Sequence, residues 1–154
     1  MADRPKALVI WVPTNRLDEH CKYTHMDGWN EIKGALESGR NIGAALIRED
    51  VQHVAMWTRI AMRQQAWSPM TKADAIPCRV TLTFVERDHR RDVGNIHGGA
   101  KYALDALTAR HKYGAGAIYD DSQRWLPVVE YRIAYVGKGF SEPGMRITIE
   151  PLEE

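Results

Sequence analysis

Residues 87–105 read R-D-H-R-R-D-V-G-N-I-H-G-G-A-K-Y-A-L-D, and a second acidic pair, Asp120-Asp121, follows a glycine-containing turn. A hard divalent cation such as Mg²⁺ takes oxygen ligands, usually one or two carboxylates with water retained, and a phosphate oxygen can complete its shell. Asp92 and Asp121 are the natural carboxylates for such a site, with Asp120 beside the second. A helix starting near Gly99 would set Lys101 and Asp105 one turn apart, on the face opposite Ala100, Ala103, Leu104 and Leu107. Lys101 then points away from the core and is able to meet a phosphate. Residue chemistry alone leaves a blander reading open, in which 87–92 is a solvated loop whose charges pair locally and Asp120-Asp121 is a turn before a strand.

These residues need elements to hold them. Ala7 to Val12 is an apolar run closed by Pro13 and predicts a buried first strand. Residues about 18–48 are broken by Gly28, Gly34, Gly39 and Gly43 and read as an irregular insertion, with one short helix over Trp29 to Leu36. Glu49-Asp50 supply acids for a helix N-terminus, and Val51, Val54, Ala55, Thr58 and Met62 recur at helical spacing until Pro69 ends the pattern. Arg79 to Glu86 alternates like a strand, and the charged stretch after it leads into a second main helix from Ala100. Val128 to Val136 and Met145 to Ile149 alternate on either side of Gly137, Gly139, Pro143 and Gly144, which predicts a hairpin. The expected fold is α/β (α+β), a single mixed β-sheet of about four strands packed with two main helices.

Composition narrows the class. The 154 residues carry 21 Lys+Arg against 20 Asp+Glu, a net charge of +1, which argues against a broadly basic nucleic-acid coat and leaves a local basic face open. Hydrophobic residues at 44% and charged residues at 27% argue against disorder and coiled coil and for one globular domain over residues 1–154. There is no run of about 18 apolar residues, so no membrane partner is expected, and a cytoplasmic location with free thiols at Cys21 and Cys78 is.

Three other features offer less. Asp18, Glu19, His20, Cys21, His25 and Asp27 contain donors for a transition metal, but their spacing matches no strong motif and a polar loop is the expectation. Gly98-Gly99 lacks the surrounding pattern of a nucleotide-binding loop. Among the tryptophans, Trp125 lies close enough to Asp120-Asp121 to be a candidate for DNA contact, whereas Tyr131 and Tyr135 read as core or interface residues.

The order of the charged residues says more than their types. Arg91-Asp92-Val93-Gly94-Asn95-Ile96, then Lys101-Tyr102-Ala103-Leu104-Asp105-Ala106-Leu107, then Asp120-Asp121, resembles the RusA family of Holliday junction resolvases, in the long-spaced form carried by bacteriophages. In that family the run reads R-D-x-[D/A]-N-[L/I], then K-x-x-x-D-x-L, then a D-D pair before a strand. Trp11-Val12-Pro13-Thr14-Asn15-Arg16 is similar to the family's opening strand and its P-x-N, so the resemblance spans roughly two-thirds of the chain, leaving out much of the insertion.

The resemblance implies a RusA-like homodimer that binds four-way or other branched DNA and makes two symmetric, Mg²⁺-dependent nicks, with Mn²⁺ as a substitute metal. Carried over by position, Asp92, Asp121 and Asp120 would bind metal, with Asp92 and Asp121 catalytic. Lys101 would be the catalytic or phosphate-contacting base, and Asn95 and Asp105 would be supports. Arg87, Arg90, Arg91 and Lys101 would hold the DNA backbone, giving salt-sensitive binding set more by shape than by sequence. A two-fold dimer would match two sites to two strands. One departure stands out: where the best-known members carry a second catalytic aspartate, this chain has Gly94. That leaves two further readings, a junction-binding protein without turnover and a nuclease of other branched DNA. The phage-type spacing suggests a phage or prophage protein in a bacterial host.

Overall fold

A computed structural model describes residues 4–14, 16–17 and 24–152. The elements run β1 (Leu8–Pro13), β2 (Arg16–Leu17), β3 (Thr24–His25), α1 (Trp29–Ser38), α2 (Arg40–Gln64), β4 (Cys78–Glu86), α3 (Val93–His97), α4 (Ala100–Leu107), β5 (Val128–Tyr135) and β6 (Gly144–Pro151). The main sheet has the order β1-β6-β4-β5, with β2 and β3 forming a separate two-stranded ribbon. β4 and β5 are parallel, and β6 is antiparallel to both β1 and β4, so the sheet is mixed.

Alternation along the strands sorts the two sheet faces. Leu8, Ile10 and Val12 stand across from Ile149, Ile147 and Met145, which in turn stand across from Val80, Leu82 and Phe84. All nine are buried against the helices, with Val51, Val54 and Ala55 of α2 and Ala103, Ala106 and Leu107 of α4 in the same core. Each such large side chain removed from water contributes on the order of 1.5–3 kcal/mol. The opposite face carries Arg146, Thr148, Glu130 and Arg132, which is why this sheet needs only one layer of helices.

Two expectations are corrected. The segment 29–48 is helical rather than irregular, because the glycines there serve close approach and a sharp bend rather than helix termination. Gly39, at φ 155° and ψ 146°, takes a conformation open to glycine alone and lets α1 end and α2 begin on one residue. Gly43 lies inside α2, where a Cβ would run into Leu36 of α1, so the two helices cross in contact there. The second correction is that β5 and β6 are not a hairpin. They are the two neighbours of β4, one on each side, and the turn residues between them carry the chain across that strand. The parallel β4–β5 pair is made by a crossover through α3 and α4, and this crossover places the charged run beside the sheet. Asn15 and residues 18–23, which include Asp18, Glu19, His20 and Cys21, lie outside the described residues. Among the described residues, no helix is long and apolar enough to cross a membrane.

Candidate functional site

The site grows from α4. Its buried face, Ala100, Tyr102, Ala103, Ala106 and Leu107, fixes the helix against the core and turns Lys101 outward, with 75% of its side chain exposed. Lys101 Nζ donates to Asp105 Oδ1 at 2.9 Å, the expected one-turn pair, and to Asp121 Oδ2 at 3.4 Å from the connection leading to β5. The Lys101 pKa is raised, first by the hydrogen bond to Asp105, with partial burial opposing and the charges of Asp105 and Asp121 adding. An ammonium held this firmly in its charged form suits phosphate contact, not proton abstraction.

The other residues of the charged run divide by position. Asp92 caps the start of α3 from an exposed position, and its side chain makes no capping bond. Neither it nor the half-buried Asp120 forms a hydrogen bond or ion pair with a described residue through its side chain. The structure therefore joins Lys101, Asp105 and Asp121 directly, and leaves Asp92 and Asp120 outside that hydrogen-bonded group. Arg87 and Arg90 lie exposed just past β4, and Arg90 Nε is 3.5 Å from Asp88.

Arg91 departs from the role expected of it. Its Nη1 donates to Glu86 Oε1 and Oε2 at 3.2 and 3.1 Å, and its Nη2 donates to Met26 O at 3.1 Å and lies 3.8 Å from Glu31 Oε1. Only 17% of the side chain is exposed. A guanidinium fixed in this way ties the end of β4 to the segment before α1 and is not presented to a DNA backbone. Burial raises the Glu86 pKa, and the Arg91 charge and hydrogen bonds pull it back.

Asn95 links two helices. Its Oδ1 accepts from Asn30 N–H at 2.7 Å, so α3 satisfies one of the free donors at the start of α1. Glu31 closes the same turn by accepting from Gly28 N–H at 3.0 Å. Sequence reasoning missed the polar group under this junction. Asp27 and Asp50 are buried, Tyr102 Oη donates to Asp27 O at 2.7 Å, and burial, with the negative charges of Asp50 and Asp27 adding to it, holds the Tyr102 hydroxyl far above its ordinary pKa. In the sequence Asp27 read as part of a polar loop and Asp50 as an acid at a helix N-terminus, whereas Asp50 lies buried inside α2, so neither signalled a shared buried position. Trp125 is half-buried, edge-on to Tyr119, with the Arg124 guanidinium 4.7 Å over its ring.

Among the described residues, no three His, Cys, Asp or Glu side chains are gathered closely enough to hold a metal by themselves. Asp105 and Asp121 each turn one oxygen to the same ammonium, and Mg²⁺ asks only for one or two carboxylates, with water and phosphate making up the rest. No family model matches the chain, and no curated protein matches it in sequence.

Proposed function

We propose that this protein is a Mg²⁺-dependent, structure-selective DNA endonuclease that resolves four-way junctions by paired nicks. The observation that carries the reading is the Lys101 ammonium held between Asp105 and Asp121, because it joins two blocks of the charged pattern that lie 20 residues apart in sequence. Asp105 and Asp121 hold the lysine in place and charged, and Lys101 in turn offsets the negative charge that builds on a phosphate under attack by water. Arg87 and Arg90, exposed on the loop after β4, bind the flanking backbone. Asp121, with Asp105, Asp120 or Asp92, would hold a Mg²⁺, which would supply acidification of the attacking water and further charge neutralisation. On this reading the protein works as a homodimer in the cytoplasm of a bacterial host, as a phage or prophage product.

The test is incubation with a labelled four-way junction, with and without Mg²⁺, using wild type, Asp92→Asn, Asp121→Asn and Lys101→Met. Symmetric paired nicks in the wild type, lost in all three variants while junction binding persists, are expected. Undiminished cleavage by Asp121→Asn or Lys101→Met would overturn the assignment. Tight binding with no nicks in Mg²⁺ or Mn²⁺ would select the junction-binding reading that Gly94 motivates. Faster cutting of flaps or forks would select another branched substrate.

A further inference from the structure

Beside the candidate site, residues of α1, α4 and β5 enclose a hollow of about 510 Å³ whose walls are almost wholly apolar, with Ile32, Leu36 and Leu104 among them. Two aromatic side chains border it from the solvent side, Trp29 at the start of α1 and Tyr131 on β5, 51% and 45% exposed. Large apolar groups left facing water around one hollow mark a binding surface rather than a core. Trp29 is fixed from behind, because a Cβ on Gly98 would run into its backbone. The His97 ring, also in the lining, sits 5.3 Å from the Tyr131 ring and is inclined to it by 36°, so the two make one aromatic wall. His97 Nε2 is buried, and among the described residues no hydrogen bond reaches it. A ring nitrogen left in that condition is unfavourable, and a ligand with a polar edge would relieve it. Among the described residues no carboxylate lines the hollow, and Lys101 supplies a cation at its border.

We propose that the hollow receives one nucleobase of the DNA, unstacked from its neighbours at the branch point, with the adjoining phosphate on Lys101. The inference rests on the nuclease reading and adds to it a preference for an unpaired nucleotide beside the phosphate that is cut. A nucleotide has the layout the hollow asks for: flat faces for the rings of Trp29 and Tyr131, a polar edge for His97 Nε2, and an anion within reach of the ammonium. An apolar protein side chain would fill the same walls and leave both the imidazole nitrogen and the cation unused. Stacking on aromatic rings accepts any base, so the hollow senses whether a nucleotide is unpaired and not which nucleotide it is. A base inside a duplex must first be pulled from its stack, whereas a base at a branch or mismatch has less to lose, and this difference is a source of structure selectivity. Neither Trp29 nor Tyr131 belongs to the charged pattern, so the hollow brings to the site residues that the pattern did not contain.

The test is a titration, without Mg²⁺, of a labelled four-way junction carrying one unpaired adenine at the branch point, beside the same junction with an abasic residue in that place. The wild type is expected to bind the first about tenfold more tightly. Trp29→Leu and Tyr131→Leu, which keep an apolar side chain and remove the ring, should each cut that ratio to about threefold or less, and the double variant should bring it to about one. Trp29→Phe, which keeps a ring, should retain most of it. Circular dichroism checks that every variant is folded. Equal affinity of the wild type for the two junctions, with Mg²⁺-dependent cleavage of both, would overturn the base site alone and leave the hollow to a protein side chain. A preference that survives in the double variant would also overturn it. Failure of the wild type to bind either junction would overturn the nuclease reading and the base site with it.

Discussion

Replacing Arg91 by Met separates a scaffold role from a DNA-binding one. The substitution keeps most of the aliphatic bulk and removes both Nη donors, leaving Glu86, whose side chain is 5% exposed, without its cation and Met26 O without its donor. Removing one partner of a buried ion pair costs on the order of 3–5 kcal/mol. At the lower end of that range, a chain of this size should lose about 6–12 °C in Tm. The loss should depend on pH in a defined direction. Glu86 already sits above its ordinary value of 4.5 through burial, with Arg91 pulling it down. Without Arg91 its folded-state pKa rises further, so the folded variant holds a proton over a wider range than the unfolded chain does. Stability of the variant therefore falls more steeply as pH rises above that ordinary value, and the gap to wild type narrows toward acid. Calorimetric scans at about pH 5 and pH 7.5 read both effects. A Tm within about 2 °C of wild type at the higher pH, or a gap that widens on acidification, would refute the argument. The salt dependence of junction binding supplies the contrast. Arg90→Ala should lower its slope by about one while leaving Tm unchanged, whereas Arg91→Met should leave the slope alone.

Gly28→Ala should cost about 2 kcal/mol or more, because a Cβ there falls on the Asn95 carbonyl where α1 meets α3; an unchanged melting temperature would count against that contact. At Gly94 a Cβ meets nothing within 4 Å, so Gly94→Ala should gain about 0.5–1 kcal/mol inside α3. Gly94→Asp should fold and raise Mg²⁺-dependent cleavage, and misfolding or unchanged turnover would show that no ligand is missing there. Burial pushes the Cys78 thiol up to about 11, so alkylation of Cys78 at about pH 8 should wait for denaturant; rapid labelling of the native protein, located by peptide mapping, would contradict its burial.

The strands were legible because their residues alternate. Val80, Leu82 and Phe84 against Thr81 and Thr83 read as a strand, as do Met145, Ile147 and Ile149, while the burial of Thr83 and Val85 on the other face of β4 carried no such signal. Pairing was not legible, since the turn chemistry at Gly137, Gly139 and Gly144 is the same whether a chain doubles back beside β5 or passes across β4. The start of α2 was hidden because Gly43 suggests a helix breaker until Leu36 is seen lying against it. At the site, the Lys101–Asp105 pair follows from helical spacing alone, whereas the approach of Asp121 depends on the crossover that brings the loop before β5 alongside α4. Arg91 misled because a guanidinium in a charged run reads as a surface group. Its burial is decided by Glu86 at the end of β4 and by the Met26 carbonyl, and neither carries a local signal.

The register between β1 and β6 sets an order on the folding of this chain. β1 has no sheet partner except β6, the last of the described strands to be synthesised, and β6 is also the strand that stands between β1 and β4. During translation β1 must therefore wait as an apolar segment while α1, α2 and the β4–β5 unit emerge and collapse. The hydrophobic faces of Leu8, Ile10 and Val12 remain available to the wrong partner until Ile147 and Ile149 arrive. The bonds to the outer edge of β1 come from His53 in α2 and from Gln65 just after it, both made early. In the folded chain they close the side of β1 that β6 leaves open, so the strand is held on one side by the sheet and on the other by the helix layer.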